Sequence, residues 1–441
     1  TAPDKRQLAR EHLDLLRQVV APHPCPLLPI PPSSVRLRIL MVCADFYPDI
    51  FGGLTRVIFE LSKRLAARGH EVFLTARRVR PSQPDKEIVD GIRVIRYDFS
   101  GRNLLLFHAT EAWNVRRAVQ RLLAERRVDV INVHQALPGV GANLAPFAGR
   151  CANIYTFHAP WSVEWLDMYR FARRDGLSAV QALSSRVVAF YLKHLEGFAV
   201  RRADAVVTLS DYVRGKAQQL HRLPNGRFRL IPGGVDCDTF KPAPDRAKVR
   251  AALPVPVSPD ALLLLTVRRL VPRMGLENLI QAVATVSVKL PHLRLIIVGV
   301  GELERELKSL VSRLGLADRV IFAGKVPEAD LPRFYQAADL FVLPTRELEG
   351  FGMVTPEALA SGTPVLGTPV GGTVEILGRL NPDLLFADTS AEAMAAKLLD
   401  FATSGKLTPQ LRQACRDYAV ARYSWDAVVD QYEALCRSLL E

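Results

Sequence analysis

Two glutamates flank a glycine-containing loop that has the pattern of an anion site. Glu349 and Glu357 enclose the segment Gly-Phe-Gly-Met-Val-Thr-Pro, which follows an apolar run at residues 340–343. Thr355 is a good helix N-cap, so we expect a helix to begin there and the backbone N–H groups of residues 351–354 to be exposed. Such N–H groups hold anions, and the helix dipole adds about 0.3–1 kcal/mol. Carboxylates beside an anion site are suited to accepting hydrogen bonds from sugar or ribose hydroxyls.

Short apolar runs alternate with helical patterns along the chain and predict the strands that position this loop. In the first half the predicted strands are residues 36–43, 71–75, 128–133, 153–157 and 205–209, with a helix over 55–67. In the second half they are residues 262–267, 293–298, 320–322, 340–343 and 364–366. This alternation is typical of parallel, doubly wound α/β domains, whose ligands bind beyond the carboxyl ends of the strands. We therefore expect an α/β protein with two Rossmann-like domains facing across a cleft.

The domain limits follow from breaks in the pattern. The sequence predicts an amphipathic helix and a proline-rich tether over residues 1–34, and the first Rossmann-like domain over residues 35–238. The segment Ile-Pro-Gly-Gly-Val-Asp at 231–236 marks a boundary, after which residues 239–413 form the second domain. Residues 414–441 predict a final helix that carries Trp425 and packs back toward the first domain.

The composition excludes several classes of protein. With 49% hydrophobic and 23% charged residues in 441, the chain is neither disordered nor collagen-like. Its longest apolar runs fall far short of the roughly 20 residues that span a bilayer. The six cysteines lie far apart and form no CxxC pair, which argues against a disulfide framework or a zinc site and favours a reducing, cytoplasmic location.

The net charge of +13 is distributed unevenly. Residues 1–240 contain 35 Lys and Arg against 22 Asp and Glu, whereas residues 241–441 contain 23 of each. An acidic partner of the first half explains this asymmetry, and a generally arginine-rich composition is the alternative. Nucleic acid is a poor candidate, because no binding motif is present and aromatics do not alternate with the basic residues.

The motifs between about residue 36 and residue 435 resemble those of the retaining glycosyltransferases of the GT-B fold, specifically family 4. Besides Glu349 and Glu357, the resemblance rests on short motifs spread along the chain. These are Phe46-Tyr-Pro48, Gly52-Gly53, the Arg-Gly-His-Glu-Val of 68–72, the Tyr-Thr-Phe-His of 155–158, the boundary segment 231–236, Arg269-Leu270 with Gly275, Gly299 with Gly301, and Gly371-Gly372-Thr373.

The resemblance implies a role for each matching residue. Glu349 would bind the donor sugar's hydroxyls, Glu357 the ribose, Arg269 the pyrophosphate, and His158 would lie beside the reacting sugar. The other donor-side candidates are Gly52, Gly53, Arg273, Gly299, Val326, Gly350, Phe351, Gly352, Met353 and Val354. Asp45, Trp161 and Glu164 are weaker candidates on the acceptor side, and no metal site or cofactor is expected.

One position departs from the family pattern. A lysine usually stands five residues after the arginine of the Arg269 position, but here that place is taken by Met274. A thioether cannot pair with a pyrophosphate, so donor binding should lose a kcal/mol or more unless Arg268 or Arg273 compensates.

The resemblance and the charge together give a functional expectation. We expect a metal-independent hexosyltransferase that uses a nucleotide diphosphate sugar, with UDP or GDP favoured, and retains the anomeric configuration. A lipid phosphate or polyprenyl-linked acceptor at an anionic membrane surface fits the basic first half. The alternatives are a soluble acceptor, or a non-catalytic protein that binds sugar nucleotides.

Overall fold

A computed structural model describes residues 36–50, 52–99, 104–145, 151–171 and 179–441. The helix and tether predicted for residues 1–34 lie outside these ranges. The described chain forms two compact units. The N-terminal unit runs to Gly234 and includes Trp425–Glu441, whereas the C-terminal unit comprises Val235–Ser424.

The N-terminal unit is built on an eight-stranded sheet in the order β3-β4-β2-β1-β5-β6-β7-β8. All neighbouring strands are parallel except the β3–β4 pair. The strands are β1 (Arg38–Val42), β2 (Glu71–Arg77), β3 (Lys86–Val89), β4 (Ile92–Tyr97), β5 (Val130–Val133), β6 (Ala152–Phe157), β7 (Ala205–Thr208) and β8 (Phe228–Leu230). The helices are α1 (Gly53–Ala67), α2 (Leu104–Glu125), α3 (Ala136–Asn143), α4 (Trp161–Phe171), α5 (Ala179–Arg201) and α6 (Asp211–His221).

The C-terminal unit is built on a five-stranded parallel sheet in the order β11-β10-β9-β12-β13. Its strands are β9 (Leu262–Val267), β10 (Leu293–Val298), β11 (Val320–Gly324), β12 (Leu340–Leu343) and β13 (Val365–Gly367). Its helices are α7 (Arg246–Ala251), α8 (Leu276–Ser287), α9 (Glu304–Arg313), α10 (Leu331–Ala337), α11 (Val354–Ala360), α12 (Gly372–Leu380), α13 (Ala391–Thr403) and α14 (Pro409–Tyr423).

The strands form where the sequence has short, nearly continuous apolar runs. The central strands β1 and β12 are buried over almost their whole length, as expected of a parallel sheet covered on both faces. The helices instead bury one stripe: α1 buries Val57, Ile58, Leu61 and Leu65 at the three- and four-residue spacing of a helical face. Each predicted strand is present, and its ends lie within two residues of the predicted bounds. The predicted doubly wound α/β class is confirmed for both sheets.

The predicted final helix over residues 414–441 is two helices. Ser424 has an extended backbone, with a ψ of 142°, and separates α14 from α15 (Trp425–Ser438). Helix α15 packs on α1, where the Arg64 guanidinium lies 5.4 Å from the centre of the Trp425 ring. The ring also lies against Gly234, where a β-carbon would come within 2.4 Å of it. Glycine is therefore required at this position for the last helix to join the N-terminal unit.

No helix within the described ranges has both the length and the apolar content needed to cross a bilayer.

Candidate functional site

Each sheet has one strand from which the connections run in opposite directions. In the C-terminal unit this strand is β9, which lies between β10 and β12, and in the N-terminal unit it is β1, between β2 and β5. At such a switch point the loops that leave the strands diverge and open a crevice, where open α/β sheets bind ligands. The residues that follow β9 and β12, and those that follow β1 and β5, are therefore the candidates in each unit.

Glycines let the loops of the C-terminal unit pack backbone against backbone at this sheet edge. A β-carbon on Gly299, after β10, would lie 1.8 Å from the carbonyl oxygen of Arg268, after β9. One on Gly275, before α8, would lie 2.0 Å from the carbonyl oxygen of Pro344, after β12. One on Gly371, before α12, would lie 2.0 Å from the carbonyl oxygen of Glu349. The loops after four strands are thus held in fixed register around Glu349.

Glu349 is buried and one of its carboxylate oxygens is fully engaged. Its Oε2 accepts a hydrogen bond from Nη2 of Arg268 at 2.5 Å and one from the hydroxyl of Thr345 at 2.9 Å. The same guanidinium donates to Thr345 Oγ1 at 2.8 Å and lies against the sulfur of Met274. Only 7% of Glu349 and 8% of Arg268 is exposed. This arrangement fixes the carboxylate and keeps its charge balanced in a dry environment.

The two other arginines of this edge differ from Arg268. Arg269 is exposed and directly follows its buried neighbour, so its guanidinium is accessible to a ligand. Arg273 donates from Nη1 to the carbonyl oxygen of Leu348 at 2.8 Å, and its own carbonyl accepts from the amide of Arg346. Arg273 therefore joins the loop after β9 to the loop that carries Glu349.

The loop from Gly350 to Val354 turns into α11 earlier than predicted. The expectation that Thr355 caps this helix is wrong: α11 begins at Val354, and the buried Thr355 hydroxyl has no hydrogen-bond partner in the described chain. Gly352, at a φ of 78°, tightens the preceding turn so that its carbonyl already accepts from the Thr355 amide at 2.8 Å. The amides of residues 351–353 donate to no acceptor within the described ranges, as the predicted anion site requires. The Phe351 side chain is buried against Tyr423, so only its backbone faces the loop.

Glu357 lies in the first turn of α11 and is buried. Its Oε2 accepts a hydrogen bond from the hydroxyl of Tyr335, on α10, at 2.8 Å. After β11, Gly324 has a φ of 64° and its carbonyl accepts from the amide of Gly299 at 2.8 Å. Val326, two residues beyond that strand, is half-buried. The predicted donor-side residues after β9 to β12 thus share one sheet edge.

In the N-terminal unit, His158 follows β6 and pairs with a second histidine. Its Nε2 lies 3.1 Å from Nδ1 of His134, which follows the neighbouring strand β5, and the two rings stack with centres 5.4 Å apart. Burial lowers the pKa of His158 to about 4, and burial together with His158 holds the pKa of His134 well below its usual value. Both imidazoles are therefore neutral near pH 7, and His158 acts as a hydrogen-bonding group without charge.

Asp45, after β1, is held by structural contacts. Its carboxylate accepts from Nε2 of Gln135 at 3.0 Å and from Arg77 at 3.2 Å, and Gln135 in turn accepts from the backbone amides of Ala44 and Asp45. Arg77 also binds the fully buried Glu111 through two hydrogen bonds of 2.8 and 2.9 Å. These contacts close the loop at the switch point of this sheet.

The remaining candidates of this unit lie at helix starts. Trp161 begins α4, donates its amide to Glu196 and meets His108 edge-on with ring centres 6.0 Å apart, whereas Glu164 is exposed in the first turn of that helix. Gly52 and Gly53 are exposed at the start of α1. Gly52 has an extended backbone with a φ of 177°, so its conformation alone does not require glycine.

Three groups of the sites were not predicted as site residues: Thr345, His134 and Gln135. Each follows a strand that the sequence does predict, and a polar residue at that place was the available signal. Arg268 was considered only as a possible phosphate ligand, yet it binds Glu349. The described residues contain no cluster of three or more His, Cys, Asp or Glu side chains arranged to hold a metal ion.

Comparison with known proteins gives matches to both units. Residues 51–239 match the family model described as Glycosyltransferase Family 4, and residues 254–422 the model described as Glycosyl transferases group 1. The chain is 32% identical over 342 residues to the D-inositol 3-phosphate glycosyltransferase of Kineococcus radiotolerans, covering 73% of this chain and 74% of that protein. It is 27% identical to the GDP-mannose-dependent alpha-(1-6)-phosphatidylinositol monomannoside mannosyltransferase of Mycobacterium tuberculosis, over 89% of this chain and 96% of the relative. The solved structure of Anabaena HepE in complex with UDP-glucose matches with a TM-score of 0.68 at 21% identity, covering 91% and 100% of the two chains.

Proposed function

Because the chain belongs to the glycosyltransferases of group 1 and family 4, we propose that it transfers a hexosyl group from a UDP- or GDP-sugar to a hydroxyl of a phosphate-bearing acceptor, without a metal ion and with retention. The observation that carries this proposal is the edge of the C-terminal sheet. There a fixed carboxylate, an exposed arginine and backbone amides that donate to no acceptor in the described chain lie at the switch point of the parallel sheet.

The donor-side residues have the chemistry that such a transfer needs. One oxygen of Glu349 remains available to accept hydrogen bonds from sugar hydroxyls, and Glu357 is placed to do so for the ribose. As the glycosidic bond breaks, the leaving diphosphate gains negative charge. Arg269 and the amides of residues 351–353 stabilise that charge more strongly in the transition state than in the ground state. Charge-assisted hydrogen bonds of this kind contribute about 1.5–3 kcal/mol each.

We propose a front-face reaction in which the departing phosphate accepts the proton of the acceptor hydroxyl. His158 is proposed as a neutral hydrogen-bonding group for a substrate hydroxyl, since its pKa of about 4 keeps it uncharged at pH 7. The retained anomeric configuration would be read by NMR from the coupling constant of the product, and metal independence from unchanged turnover in EDTA.

Two observations support a phosphate-bearing, membrane-linked acceptor. The relatives described above are named for inositol phosphate and phosphatidylinositol monomannoside. In addition, α5 exposes an apolar stripe of Leu183, Val187 and Phe190, which are 64%, 59% and 66% accessible, next to the exposed Arg186. Such a face suits an anionic bilayer surface, where each basic residue contributes about 1 kcal/mol. The described cysteines form no disulfide with one another, which suits the cytoplasmic location that we propose.

The first experiment is a thermal-shift panel of UDP-, GDP- and ADP-sugars on the full chain, followed by nucleotide release with and without inositol phosphate. We expect one nucleotide sugar to raise the melting temperature and to turn over. Glu349→Gln should remove most of that turnover, whereas Glu347→Gln, an exposed carboxylate on the same loop, should leave it within twofold. The proposal fails if no nucleotide sugar shifts the melting temperature. If a nucleotide sugar raises the melting temperature but Glu349→Gln does not change its turnover, a non-catalytic sugar-nucleotide binding protein would be supported instead.

The second experiment tests the membrane surface by co-sedimentation with vesicles of neutral lipid and of neutral lipid containing phosphatidylglycerol. We expect binding that needs the anionic lipid and weakens as salt rises. Replacing Leu183, Val187 and Phe190 together by Ser should reduce it at least fivefold. The control is Val288→Ser, which removes an exposed apolar side chain, 84% accessible, from the C-terminal unit. Equal binding of the triple variant would contradict this surface.

A further inference from the structure

Arg268 is an unusual residue for the edge of a ligand site. Its guanidinium is buried, donates to Glu349 Oε2 and Thr345 Oγ1, and lies between them and the sulfur of Met274. Its Nε is buried and has no hydrogen-bond partner in the described part of the chain. A buried cation with an unpaired donor is costly, so a charged partner must compensate, and Glu349 is that partner.

Met274 explains why this cation is present. The methionine side chain reaches the same point as the guanidinium, so a lysine there would bring a second positive charge to the carboxylate of Glu349. The sequence thus has one cation at this point, supplied from position 268 and not from position 274. Arg273 is not the substitute, because its guanidinium donates to the backbone of Leu348 and connects two loops.

We infer that Arg268 is a positioning residue for the donor sugar: it holds Oε2 of Glu349 so that Oε1 faces the sugar hydroxyls, and it replaces the cation that Met274 does not provide. This inference rests on the proposed function, because it assigns the sugar to Glu349. The two cations of the edge then have different roles, since the exposed Arg269 binds the phosphates whereas the buried Arg268 acts on the sugar through Glu349.

These different roles predict different effects on two ligands. A nucleotide diphosphate lacks the sugar, so its affinity should not depend on Arg268. The affinity of the intact nucleotide sugar should depend on it. We expect Arg268→Met to weaken binding of the nucleotide sugar at least tenfold and to lower kcat/KM at least thirtyfold, while the affinity for the nucleotide diphosphate changes less than threefold.

Relocation of the charge is the second arm of the test. Met274→Lys alone places two cations together and should lower kcat/KM at least tenfold. In Arg268→Met/Met274→Lys the lysine can reach the vacated position, since its ammonium extends two bonds beyond the place of the methionine sulfur. We expect the double variant to recover at least fivefold in kcat/KM relative to Arg268→Met. A purely structural role of Arg268 would give no such recovery.

The matched control is Arg250→Met. Arg250 also forms a mostly buried pair with a carboxylate, Asp339, at 2.7 Å, but this pair lies at the opposite edge of the same sheet, where Asp339 binds the amide of Leu263. Its loss should lower the melting temperature and leave the affinity for the nucleotide sugar within twofold. If Arg268→Met does not fold, Arg268→Lys and Met274→Lys test the same point, with the lysine at 268 expected to retain more activity than the lysine at 274.

Three results would overturn the inference. The first is an equal loss of affinity for the nucleotide and the nucleotide sugar in Arg268→Met, which would make Arg268 a phosphate ligand. The second is no recovery of kcat/KM in the double variant, and the third is full activity of Arg268→Met. The wild-type protein, measured in the same series, distinguishes these from failure of the proposed function. If it binds and turns over no nucleotide sugar, the function is refuted and the inference is refuted with it.

Discussion

Replacing Gly371 by alanine should impair the donor site through the backbone alone. Gly371 has a φ of 58°, and a β-carbon there would lie 2.0 Å from the carbonyl oxygen of Glu349, where contacts below 3.0 Å are essentially never found. The loop that carries Glu349 must therefore move by about 1 Å. A positive φ costs an L-residue about 1–2 kcal/mol, and overpacking adds about 1–3 kcal/mol. The variant should lose about 2–5 kcal/mol of stability, and a 1 Å misplacement lowers kcat/KM about 100-fold.

Gly405→Ala is the control for the backbone term. Gly405 has a φ of 71° but nothing lies within 4 Å of its β-carbon position, so only the conformational cost of about 1–2 kcal/mol applies. Urea unfolding gives the two stabilities, and nucleotide release at varied donor concentration gives kcat/KM. We expect Gly405→Ala to keep kcat/KM within threefold of wild type. Wild-type kcat/KM in Gly371→Ala would refute the claim that this glycine sets the position of Glu349.

Three further predictions concern the rest of the molecule. Arg77→Met leaves the buried carboxylate of Glu111 without its cation and should lower the free energy of unfolding by about 3–5 kcal/mol. Arg77→Met/Glu111→Leu should restore part of this loss. An unchanged urea midpoint of Arg77→Met would contradict the prediction. The folded-state pKa of His158, about 4, is lower than its unfolded value of about 6.5, so folding favours the neutral imidazole. The free energy of unfolding should therefore fall as the pH drops from 6.5 to 4. In urea unfolding, His158→Gln should show a smaller fall between pH 7 and pH 5. Among the described cysteines, burial raises the pKa of Cys415 and Cys436 to about 12, so in the native protein both should react with a thiol reagent at least tenfold more slowly than the half-buried Cys151 and Cys237; equal rates would contradict this.

The strands and their order of appearance could be predicted because burial on both faces leaves a continuous apolar run. Leu262–Val267 and Leu340–Leu343 have the predicted bounds, since both lie inside their sheet and are buried over most of their length. The break at Ser424 could not be predicted in the same way. Helical residues continue on both sides of it, and the break depends on a change of unit at Trp425.

The site shows the same division between local and long-range causes. Glu349, Glu357 and the loop between them are close in sequence, so their spacing was informative. The partners of these groups come from other elements: Arg268, in the loop after β9, is 81 residues from Glu349, and Tyr335, on α10, is 22 residues from Glu357. No local pattern specifies such pairs, because the sheet order decides which loops meet. The start of α11 was misplaced for a local reason, the positive φ of Gly352, which a capping rule based on side chains does not include.

The charge of the first half also has a different meaning once its contacts are known. Arg77 and Arg96 are among its positive charges, but both are paired with carboxylates and hold the edges of the N-terminal sheet. A count of basic residues includes them although neither is available to a partner. Helix α2 exposes Arg117 and Trp113, and helix α5 exposes Arg186 and Phe190. The proposed binding to an anionic surface should therefore respond to changes on these two helices in vesicle co-sedimentation, and much less to the removal of an equal number of charges elsewhere in the unit.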